Sequence, residues 1–97
     1  MPNKIEICDE KGNPRVYIYV HILPNGDLQM AGHDIGELCE RMFGREEHEY
    51  WVTVPAAEKD NLLLSLIADL YRDNVKADVE FQELLKTKEI PFKFSTY

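Results

Sequence analysis

His33 and Asp34, in the string MAGHDIGELC from Met30 to Cys39, are the neighbours whose types come closest to a reaction. An imidazole beside a carboxylate can hold a divalent metal ion, which would polarise a phosphate and activate a water. His21 upstream and one of Asp60, Asp69, Asp73 or Asp78 downstream would complete such a site. Glu46, Glu47, His48 and Glu49 form an acidic run with one histidine, which together with His33 could make an oxygen-rich metal site, although a solvated acidic loop is the favoured reading. Against that, four consecutive side chains at the entrance to a strand point in different directions, and no second cluster with ligand spacing follows.

The four letters HDIG are similar to a motif of metal-dependent phosphohydrolases, but only over these positions. That group is mostly helical and draws its ligands from several helices, whereas here the motif follows a strand and a hairpin signal. A local role needs no metal. Asp34 can act as the N-cap of a helix, its carboxylate accepting from backbone N–H groups that lack an intrahelical partner. Glu37 three residues on completes an Asp version of the capping box, and both carboxylates favour the positive end of the helix dipole. The cap is the favoured reading. No metal or cofactor is expected, and His33, Asp34 and His48 stand as the alternative.

Other nucleophiles lack context. Cys39 falls on an apolar helical stripe, which suits a core thiol rather than a catalytic one. Ser65 lies between leucines without a G-x-S-x-G turn. There is no glycine-rich phosphate loop or dinucleotide fingerprint. No catalytic residue is expected.

The elements that position these residues follow from periodicity. Lys4–Cys8 (KIEIC) alternates as a strand, and Arg15–Ile22 (RVYIYVHI) is the clearest strand in the chain. Asn25-Gly26 signals a hairpin that returns through Leu28–Ala31. Ile35, Leu38, Cys39, Met42 and Phe43 form a helical stripe that should stop at Gly44. Glu49–Val54 reads as a strand, and Pro55 opens a helix over Ala56–Asp73. Asp78 can cap a third helix that turns Phe81, Leu84 and Leu85 inward. Ile90, Phe92 and Phe94 alternate as a last strand, with Pro91 favouring an edge. The order β-β-β-α-β-α-α-β predicts an α+β two-layer sandwich, with helices on one face of a mainly antiparallel sheet.

Alternation divides the second strand. Val16, Ile18, Val20 and Ile22 share one face, and Tyr17, Tyr19 and His21 the other. In Glu49–Val54, Tyr50, Val52 and Val54 oppose Trp51 and Thr53. If helices cover the aliphatic side, Tyr17, Tyr19 and Trp51 face outward, where Tyr and Trp commonly anchor partners. Glu46, Glu47 and Glu49 would form an acidic rim. The competing expectation is that these rings pack on another segment or only pair across strands.

Length and charge bound the function. The 97 residues suit one domain over 1–97, and 44% apolar with 30% charged residues is ordinary for a globular chain. No apolar run nears the roughly 20 residues of a membrane span, and MPNKIEICDEKGNP lacks the apolar core of a signal peptide. A cytoplasmic location follows, with Cys8 and Cys39 reduced. The net charge of −7 and 11 scattered basic residues oppose nucleic acid and anionic membranes as partners. They suit a basic protein instead.

The span Gly32–Val54, with G-H-D-I-G, then M-F-G, then E-H-E-Y-W-V-T-V, resembles a small bacterial domain family. Its pattern joins a G-x-D-[IL]-G helix start to F-G and an acidic-aromatic strand, and it carries no known activity. The resemblance implies a bacterial cytoplasmic protein without a catalytic residue. The favoured expectation is a non-enzymatic acidic interaction domain, in one version immunity- or antitoxin-like. A metal-dependent hydrolase using His33 and Asp34 and a structural homodimer are the alternatives.

Overall fold

The computed structural model describes residues 4–97, apart from the side chains of Leu38, Cys39 and Phe43. Two compact units form, Met1–Asn61 and Leu62–Tyr97.

The first unit is built on four strands: β1 (Lys4–Glu10), β2 (Arg15–Ile22), β3 (Leu28–Ile35) and β4 (Glu47–Val54). They pair sequentially and antiparallel in the order β1-β2-β3-β4. The β2–β3 hairpin is closed by Asn25, whose Oδ1 accepts from the Asp27 N–H at 3.1 Å. Asp27 in turn accepts the Ala56 N–H at 2.8 Å, at the start of a short 3-10 turn, Ala56–Glu58. A bulge between Glu6 and Cys8 leaves Ile7 as the extra residue of β1.

Between β3 and β4 lies a seven-residue helix, α1 (Glu37–Phe43), ended by Gly44 in the left-handed conformation at φ 81° as the sequence suggests. Its start corrects an expectation. Asp34 is not the N-cap but the penultimate residue of β3, and Gly36 occupies the cap position. The N–H of Glu37 donates instead to Asn13 Oδ1 at 3.1 Å, from the β1–β2 turn. Gly36 has φ 147°, and a Cβ there would meet that same Asn13 oxygen. A cap 24 residues away leaves no local signature. Strand pairing also carries β3 four residues beyond Ala31, so Ile35 ends a strand rather than starting the helical stripe. Met42, placed on the same stripe, is 65% exposed, and Leu38, Cys39 and Phe43 lie outside the described side chains.

Helix α2 (Lys59–Tyr71) runs from the first unit into the second, where α3 (Ala77–Thr87) follows a turn. In that turn Asn74 Oδ1 accepts the Lys76 N–H at 2.9 Å; Lys76 takes the N-cap position without a side-chain cap hydrogen bond, and Asp78, expected as the cap, lies inside the first turn. The rings of Tyr71 and Phe81 meet edge-on at 6.0 Å. The expected last strand over Ile90, Phe92 and Phe94 is absent, and residues 90–97 have no regular secondary structure. Alternation makes a segment eligible for a strand but does not supply a partner, and Pro91 lacks the N–H to recruit one.

The register sorts the sheet into two faces, because directly paired residues share a side. One carries Tyr17, Tyr19, Ala31, His33, Glu47, Glu49 and Trp51, and the other Ile5, Val16, Ile18, Val20, Met30, Val52 and Val54. Ala31 and Gly32, at the centre of β3, are the buried positions among the described residues. The aliphatic face was expected to be sealed, yet Ile5 is 56%, Met30 42% and Val52 63% exposed. Ile5 and Val52 sit on edge strands, where a side chain has a same-face neighbour on one side only.

Candidate functional site

Three pairings build the centre of the aromatic face. Ala31 lies between Tyr19 on β2 and Trp51 on β4, and His33 lies between Tyr17 and Glu49. A methyl group flanked by two large rings makes a dip. Ala31 is 3% exposed, whereas Trp51 remains 56% exposed and the two tyrosines are half-buried. The result is an open depression of about 220 Å³ lined by Tyr17, Tyr19, Ala31, His33, Glu49 and Trp51. A second depression of similar volume adjoins Arg45 and Glu47 and shares Glu49 and Trp51 with the first.

The rings touch in sequence, Tyr17 to Tyr19 at 5.6 Å and Tyr19 to His21 at 5.1 Å. Lys4 Nζ sits 4.1 Å above the Tyr19 ring and 6.0 Å from that of Tyr17. The chain's own ammonium is thus already held by the negative faces of these rings. Beyond the rings, His21 Nε2 lies 2.7 Å from Gln29 Oε1, and Gln29 donates to Thr53 Oγ1 at 3.0 Å. At the other end Arg15 grips Asp9 through Nε at 3.1 Å and Nη2 at 3.0 Å. The hydrogen bond from Arg15 holds the Asp9 carboxyl below its ordinary range.

The carboxylates flank His33. Its Nε2 lies 3.6 Å from Glu47 Oε2 and 3.8 Å from Glu49 Oε1. That nitrogen is shielded from solvent and makes no hydrogen bond. The three side chains are brought together by the β3–β4 register, in which His33 pairs with Glu49 and Ile35 with Glu47.

The residues proposed for a hydrolytic metal site are distributed differently. His33 and Asp34 are successive residues of β3 and project to opposite faces. His48 pairs with Asp34, away from His33, and its ring lies 5.6 Å from that of Tyr50. His21 shares the face of His33 but pairs with Gln29, about 13 Å along the strand at ~3.3 Å per residue. Glu46 precedes β4, where its carbonyl accepts the Gly36 N–H at 2.9 Å. Asp34 has a structural partner, accepting from the Tyr50 hydroxyl at 3.2 Å. Tyr50 reaches it by lying across Gly32, where a Cβ would collide with the ring. Burial pushes the Tyr50 phenol above its ordinary pKa, and the adjacent Asp34 charge adds to the shift.

Sequence reasoning named Tyr17, Tyr19, Trp51, Glu47 and Glu49 for this face and raised His33 with the acidic run, of which the structure places Glu47 and Glu49 at His33 and turns His48 to the other face; it passed over Ala31. Ala31 carries the one legible hint, a small residue whose same-face neighbours along β3, Gln29 and His33, are large. None of the helices among the described residues is long and apolar enough to cross a membrane. Comparison with protein-family models, with curated proteins and with solved structures found nothing that matches this chain.

Proposed function

We propose that this is a non-enzymatic interaction domain whose tyrosine–tryptophan sheet face receives a cationic side chain of a basic protein partner. The observation that carries the reading is the depression over Ala31, walled by Tyr17, Tyr19 and Trp51 and edged by Glu49. Aromatic walls with a carboxylate at the rim suit a guanidinium or ammonium group, which gains from ring faces and an opposite charge together. The position of Lys4 over Tyr19 supports the same preference. The net charge of −7 would steer a basic partner toward the domain. An immunity or antitoxin-like protein, blocking a basic toxin, is the concrete version that size and charge favour.

Trp51 is the sole tryptophan and provides its own probe. Titration with an arginine-rich peptide at low salt should change its fluorescence saturably, and a neutral peptide of equal length should not. Ala31→Leu, which fills the dip, should remove that response while circular dichroism stays unchanged. Trp51→Ala, followed by calorimetry, should cost about 2 kcal/mol of binding if this ring is an anchor. Equal affinity for the neutral peptide would refute the proposal.

A second reading, the structural homodimer, is favoured by the opposite face. Ile5, Met30 and Val52 expose apolar surface there, which a second copy would remove from water.

A further inference from the structure

We infer that His33, Glu47 and Glu49 form a three-ligand site for a divalent metal of the zinc class, at the edge of the depression that His33 and Glu49 help to line. The three side chains project from two paired strands rather than from a loop. His33 and Glu49 are direct cross-strand partners, and Glu47 is the next same-face position along β4. Backbone hydrogen bonds of the sheet therefore fix the positions of all three donors.

The spacing is close to what a metal needs. One ligand atom from each residue lies within 4.8 Å of the others, with Nε2 at 3.6 Å and 3.8 Å from the two carboxylates. An ion equidistant from atoms so spaced sits roughly 2.4 Å or less from each, against the ~2.0–2.2 Å of zinc–nitrogen and zinc–oxygen bonds. Glu47 and Glu49 are exposed and can close the remaining few tenths of an ångström by side-chain rotation.

The state of His33 distinguishes this cluster from a patch of surface acids. Its Nε2 is withheld from water yet too far from either carboxylate for a hydrogen bond. A polar atom left this way is unfavourable until a partner is supplied. A cation centred between the three donors would satisfy the nitrogen lone pair and both carboxylates at once. Imidazole with two carboxylates favours zinc, cobalt or nickel over calcium and magnesium, which take oxygen ligands alone. Both depressions border Glu49, leaving room for water at the remaining coordination positions.

The test is titration of the full chain with zinc chloride, and separately calcium chloride, followed by calorimetry and by NMR of the three histidine rings. Zinc should bind with one-to-one stoichiometry, shift His33 before His21 and His48, and raise the melting temperature, while calcium does none of these. Glu47→Gln and His33→Gln should each weaken zinc at least about tenfold. Glu47 is exposed, so the first variant reports on the ligand without disturbing the fold. Unchanged zinc affinity in Glu47→Gln, a first response at His21, His48 or a cysteine, or no saturation below about 1 mM zinc would overturn the site.

Discussion

Tyr50 shows at the residue scale how one side chain can be held by two others that no local pattern connects. Its ring needs the absent Cβ of Gly32, and its hydroxyl needs the Asp34 carboxylate. Because burial raises its pKa in the folded state, the unfolded phenol ionises first as the solution becomes alkaline. The stabilisation is complete below the unfolded value of about 10 and is lost as pH rises through the folded one. Alkaline unfolding should therefore accompany the last of the five tyrosine titrations seen in near-ultraviolet absorbance. Tyr50→Phe should delete that step and cost about 1–2 kcal/mol in urea unfolding at neutral pH. An unchanged midpoint would show that the hydroxyl contributes nothing. Much of this was hidden from the sequence. Asp34 beside a helix reads as a cap because Asp is a good cap, and its hydrogen-bond partner, Tyr50, enters 16 residues later.

Helix α1 carries the lesson at the scale of an element. Seven residues are too few to hold a helix by propensity alone, so its ends must be tied down. Gly44 ends it by a rule that sequence states plainly. Asn13 starts it by reaching from another turn. Asn13→Ala should thus cost about 1 kcal/mol and increase amide exchange in α1. Asp34→Ala should leave α1 protection unaltered and disturb Tyr50 instead. The reverse pattern in hydrogen exchange would return the cap to Asp34. The strands were legible because RVYIYVHI and EYWVTV alternate strongly, and the hairpin because Asn-Gly occupies its turn. The missing strand over Ile90, Phe92 and Phe94 had the same alternation, which shows that periodicity reports a face and not a pairing.

At the scale of the molecule, two kinds of surface suggest two kinds of association that salt separates. Capture of a basic partner by the acidic aromatic face should weaken steeply as ionic strength rises. Self-association through Ile5, Met30 and Val52 should persist or strengthen with kosmotropic salt. Light scattering at increasing protein concentration is expected to register a dimer, and Val52→Lys to return it to monomer. A monomer at every concentration would discard the homodimer reading and leave the partner reading intact.

The amino-acid sequence by itself determined the α+β class, most of the strands, the division of β2 and β4 into aliphatic and aromatic sides, and the acidic charge. These properties depend on side-chain types at separations of two to four residues, over which backbone geometry is regular. Tertiary structure alone decided that, of the acidic run, Glu47 and Glu49 meet His33 while His48 faces away, that Ala31 floors a depression between Tyr19 and Trp51, and that Asn13 caps α1. Those meetings depend on strand register and on turns that join residues 12 to 24 positions apart. A slip of one residue would send every side chain of a strand to the other face.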